Sequence, residues 1–98
     1  MYTFIDLIND LFNVEDAEYV VWVKTPICKL RMDFDNSAAF TSIVQSDGTY
    51  LVISNDNVEF AFFNDNCIII KDDFDDEDGC DYIIRNGEIE ITISVIVN

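Results

Sequence analysis

Histidine is absent from this 98-residue chain, and lysine and arginine together number only five. Without histidine there is no ordinary general base near neutral pH, no Ser-His or Cys-His pair, and no imidazole for zinc. The scarcity of cations argues against a binder of DNA or RNA, because duplex affinity comes largely from cations that replace counterions at phosphates. It argues equally against docking on an anionic bilayer. Long apolar runs are missing too: stretches such as Tyr19 to Val23 are far too short to span a membrane. Met1-Tyr2-Thr3 has no basic residue, and Asp6, Asn9 and Asp10 interrupt the first apolar stretch, so the start does not read as a signal peptide. Cys28, Cys67 and Cys80 are odd in number and lack CxxC spacing. They are expected to be reduced core or near-core thiols of a protein in the cytoplasm of a bacterial host cell.

What the chain does contain is enough to fold. Half of its residues are apolar and 13% are aromatic, a composition unlike that of a disordered acidic tail. The length fits one domain, residues 1–98. Twenty Asp and Glu leave a net charge of -15 and a pI near 4.1. Fourteen Ile and nine Asn suggest an AT-rich coding sequence, which should also raise lysine. Only Lys24, Lys29 and Lys71 occur, so the charge is not a codon by-product.

The apolar spacing of Phe4, Ile5, Ile8, Leu11 and Phe12 predicts a helix over 4–12 with one apolar face. Thr3 is a suitable N-cap, Asp6 suits the positive helix end, and Asn13 can terminate it. Everything after it reads as strands at about 18–24, 27–34, 39–45, 49–54, 58–63, 67–71, 80–85 and 88–97. From Cys28 to Phe34, Cys28, Leu30, Met32 and Phe34 share one face, and Lys29, Arg31 and Asp33 the other. Asp47-Gly48 is a hairpin signal. A loop at Asn64-Asp65-Asn66 would set Phe63 opposite Cys67, Phe62 opposite Ile68 and Phe60 opposite Ile70. A two-residue turn at Asn86-Gly87 would set Arg85 opposite Glu88, Ile84 opposite Ile89 and Tyr82 opposite Ile91. The last strand then turns Ile89, Ile91, Ile93, Val95 and Val97 inward. The fold class is α+β: one N-terminal helix, then an antiparallel β-meander of about eight strands, as a bent sheet or small open barrel.

No catalytic constellation emerges. There is no Gly-rich phosphate loop and no nucleophile elbow, and no one pair among twenty acids is singled out. A non-enzymatic protein without cofactor or dedicated metal is expected. The run from Lys71 to Gly79 fails as an EF-hand loop: with Gly79 sixth, Phe74 stands first and Arg85 twelfth, where carboxylates are needed. What remains is the field of the surplus acids, which steers cationic partners. Carboxylates on alternate strand residues repeat about every 7 Å, comparable with phosphates along a nucleic-acid strand. Asp72, Asp73, Asp75, Asp76, Glu77 and Asp78 are the first candidate contact, Glu15, Asp16 and Glu18 the second, and Asp33 with Asp35 the third. Phe63 faces opposite to Phe60 and Phe62 in the hairpin above. It belongs either to a two-sided core or to an apolar patch rimmed by acids, through which a homodimer could form.

Small size, a helix followed by antiparallel strands, absence of histidine and the clustered acids at 72–78 resemble phage-encoded anti-CRISPR proteins that imitate nucleic acid. The resemblance lies in overall character, not in a motif, and carries no family residue onto this chain. It implies occupation of a basic groove on a Cas effector complex, so that target DNA is excluded. Two alternatives share part of this logic: an immunity protein that neutralises a basic toxin nuclease, and a calcium-binding or structural phage protein.

Overall fold

A computed structural model describes residues 3–14, 16–35, 38–45, 48–55, 59–63, 67–73 and 79–97, without the side chains of 42–45, 48, 49, 62, 63 and 73. The helix α1 (Phe4–Phe12) begins in a capping box. The Thr3 hydroxyl accepts from the Asp6 backbone N–H, and the Asp6 carboxylate accepts from the Thr3 N–H. Asn13 closes the helix, its side-chain amide donating to the Asn9 carbonyl. Replacing Thr3 by alanine removes one of these reciprocal bonds. It should lower stability by about 1 kcal/mol, read from a urea transition. No change would show that packing alone holds the end.

The buried stripe of α1 is Phe4, Leu7 and Leu11, with Ile8 at its border. This corrects the face expected from sequence: Ile5 is 69% exposed and Phe12 48%. Both stripes satisfy helical periodicity, and the neighbouring sheets choose between them.

Eight strands follow: β1 (Ala17–Lys24), β2 (Lys29–Phe34), β3 (Ala39–Gln45), β4 (Gly48–Ser54), β5 (Glu59–Phe63), β6 (Ile68–Asp73), β7 (Gly79–Asn86) and β8 (Ile89–Val97). All pairings are antiparallel. They form a five-stranded sheet ordered β2-β1-β8-β7-β6 and a three-stranded sheet ordered β3-β4-β5. The sheets do not close into a barrel.

Three hairpin expectations need correction. β5 does not pair with β6: Phe60 lies opposite Ile53, Phe62 opposite Leu51 and Phe63 opposite Tyr50, while Ile68 and Ile70 lie opposite Arg85 and Ile83. Ile53 and Leu51 match the phenylalanines as well as Ile70 and Ile68 would, so apolar pairing alone could not decide. The loop at 64–66 and the side chain of Phe63 lie outside the described residues. At the second hairpin, Gln45 pairs with Gly48, so Gly48 belongs to β4 rather than to the turn, and Asp47 lies outside the described residues. At the third, Asn86 pairs with Ile89 and Arg85 with Glu90. The turn is Gly87-Glu88, with Gly87 at φ 61 as the first central residue, the position that favours glycine in a II′ turn. The shift is two residues, so every side chain keeps its predicted face.

The core lies between the helix, the inner face of the five-stranded sheet and β4. Leu7, Val21, Leu51, Ile53 and Ile93 are fully enclosed, each contributing roughly 1.5–3 kcal/mol of burial. Tyr19 meets Phe40 edge-on at 4.9 Å across the sheets, and its burial pushes the phenol above its ordinary value. Asp10 ties the helix to the sheet, accepting from Lys71 Nζ at 3.2 Å and from the Tyr82 hydroxyl at 3.4 Å.

The inward alternation of β2 and β8 is right in parity but is covered only in part. Phe34, Ile93 and Val95 are buried, whereas Leu30, Ile89 and Val97 are exposed. The sheet is longer than the elements packed on it. The thiols divide likewise: Cys80 is buried and Cys67 half-buried, but Cys28 is exposed, which corrects its assignment to the core. No described helix is long and apolar enough to cross a membrane.

Candidate functional site

Antiparallel register decides where the candidate acids collect. β1 starts after Asp16, β2 ends before Asp35, β6 ends at Asp73 and β7 starts at Gly79. In the pairing of these strands, those four termini lie at one end of the five-stranded sheet. The described members of the three acidic clusters therefore adjoin the same end, separated across the strands by up to roughly 19 Å. Sequence reading could not join them, because their proximity depends on β8 standing between β1 and β7.

Within this end, Asp16 has φ 52, a left-handed conformation that aspartate tolerates better than most residues. Glu18, Asp33 and Asp35 are exposed and border a groove of about 410 Å³ whose wall includes Val20 and Ile96. Asp72 is exposed and lies directly opposite Asp81. Like charges in that position cost stability, and the Asp81 Oδ1 is shielded from solvent without a hydrogen-bond partner. Glu15 and residues 75–78 lie outside the described residues, as does the side chain of Asp73.

The outer face of this sheet is sorted by charge along its strands. Asp33, Val20, Ser94, Asp81 and Asp72 form a cross-strand row at the acidic end, with Glu18 beyond it. The next row is Arg31, Trp22, Thr92, Ile83 and Ile70, and the last is Lys29, Lys24, Glu90, Arg85 and Ile68. Four of the five cations thus stand at the opposite end of one face. Lys29 Nζ lies 4.4 Å and the Arg31 guanidinium 5.3 Å from the centre of the Trp22 ring, within cation–π range. Arg31 also pairs with Asp33 at 2.9 Å, and Arg85 with Glu90 at 3.0 Å. Sequence reading overlooked this basic end. Its signal was present in the alternation of Trp22 with Lys24 and of Lys29 with Arg31, the two pairs separated by four residues across one turn.

Among the described residues, no group of three or more His, Cys, Asp or Glu is arranged to hold a metal ion. No protein-family model, curated protein or solved structure matches this chain.

Proposed function

We propose that the protein is a non-enzymatic acidic inhibitor that occupies a basic nucleic-acid-binding groove of a partner protein. The observation that carries this reading is that the described members of three acidic clusters, Asp16 with Glu18, Asp33 with Asp35, and Asp72, stand at one end of a paired sheet. A net charge of -15 on 98 residues sets up a surface potential on the order of several kT, which speeds encounter with cationic surfaces. Screening limits that field to about 8 Å at physiological salt, so close contact must supply the rest. A hydrogen-bonded sheet holds Glu18, Asp33 and Asp72 in fixed relative positions, and rigid presentation of anions is what imitation of a phosphate backbone requires.

The finer reading is an anti-CRISPR protein that excludes target DNA from a Cas effector complex. It rests on the likeness of overall character described above. The test is capture of partners from a bacterial host lysate at low and at high salt, with the recovered protein identified. The expected catch is a basic nucleic-acid enzyme, released as salt rises and displaced by DNA. A toxin nuclease in its place would make the chain an immunity protein. A catch that is neither basic nor displaced by nucleic acid would end the proposal.

A further inference from the structure

The outer face of the five-stranded sheet carries five carboxylates and four cations, a net of -1 in a molecule of net -15. Two copies that meet through this face therefore escape most of the like-charge repulsion that the molecule as a whole would impose. Apolar side chains lie among its charged groups. Val20, Trp22 and Ile83 are half-buried, and Ile70 and Ile96 are 39% and 40% exposed. None of these residues belongs to the core cluster on the other side. A soluble sheet face with this much apolar surface and poles of opposite sign is suited to a partner that repeats the pattern in reverse.

We propose that this face is a homodimer interface, the occupant being a second copy related by a two-fold axis that lies in the interface and crosses the strands. Of the two in-plane axes, only this one sets the acidic pole of each copy over the basic pole of the other. An axis along the strands would place like poles together. With aligned sheet packing, Glu18 and Asp33 of one copy approach Lys24 and Arg31 of the other, and the two Trp22 rings lie near the centre. Five strands at about 4.8 Å spacing and four rows at about 7 Å give on the order of 600 Å² per copy. Doubled, that reaches the lower bound of roughly 1,200 Å² for specific association, so the dimer is a weak one. The pairing covers Glu18, Asp33 and Asp72, so it competes with capture of a basic partner at those residues, and leaves Asp73 and Gly79, the flanks of the acidic run, at both outer ends of the assembly.

Sedimentation equilibrium of the intact protein at about 0.15 M salt, where repulsion between distant charges is screened, reads the result. A monomer–dimer equilibrium is expected, with a dissociation constant on the order of 10 µM. The emission of the sole tryptophan, Trp22, should move to the blue over the same concentration range. The double variants Lys24→Glu/Arg31→Glu and Glu18→Lys/Asp33→Lys should each weaken self-association by about tenfold or more. An equimolar mixture of the two should restore the dimer, because each substituted pair in one variant then faces a pair of opposite sign in the other. That recovery also shows that both variants fold. A wild-type protein that stays monomeric, a dimer indifferent to both variants, or a mixture without recovery would each overturn the proposal.

Discussion

Replacing Gly79 with alanine is expected to destabilise the protein by about 3 kcal/mol or more, the largest effect of any single conservative substitution outside the core. A Cβ at this position would overlap the carbonyl oxygen of Val95 on the neighbouring strand. That atom belongs to the backbone of β8, which pairs with β1 on its other side, so it cannot retreat without loosening two ladders. Gly79 also has φ 155, at the margin of the region that side chains avoid. Gly87 supplies the control. Nothing lies within 4 Å of a Cβ there, and only its φ of 61 opposes alanine, at about 1–2 kcal/mol. Urea unfolding should separate the two variants clearly. Equal losses at both positions would mean that the close approach of β7 to β8 is not a constraint.

Converting Asp72, Asp73, Asp75, Asp76, Glu77 and Asp78 to lysine is expected to weaken capture of the proposed basic partner by at least about 100-fold. The change raises the net charge from -15 by twelve units to -3, removing both the steering field and the first candidate contact. A separate variant distinguishes these causes. Glu88 is exposed in the turn at the opposite, basic end of the sheet, so Glu88→Lys alters total charge without touching the acidic end. It should leave capture within about twofold. The salt dependence of binding should flatten in the sixfold variant and persist in the single one, measured by titration at several ionic strengths. Undiminished capture by the sixfold variant would remove 72–78 from the contact.

These expectations draw on different layers of the molecule, and the layers were not equally legible. The helix boundaries at Phe4 and Phe12 and the caps at Thr3 and Asn13 follow from spacing and hydrogen-bonding chemistry within a few residues. The eight strands follow from alternation and from turn residues in the same way. Partner choice was less legible. Phe60 and Phe62 could satisfy cross-strand packing with Ile70 and Ile68 or with Ile53 and Leu51, and only the second occurs. The turn at Gly87 moved by one residue, and the register with it by two, because Asn86-Gly87 and Gly87-Glu88 both suit a tight hairpin. Faces survived that shift, since side chains alternate with period two.

The candidate site divides along the same line. Its acids could be named one by one from the sequence, and the surplus of charge restricts the kind of partner. Their gathering at one end could not, nor could the sorting of four cations to the other. Those features depend on β8 returning to lie between β1 and β7, a contact between residues some seventy positions apart. Composition and local periodicity determined the elements and the sign of the field. The tertiary structure alone decided which strands are neighbours, which helical stripe is buried and where the charges meet. The physical reason is that neighbouring residues settle backbone conformation, whereas burial and charge proximity are settled by whichever distant segments pack together.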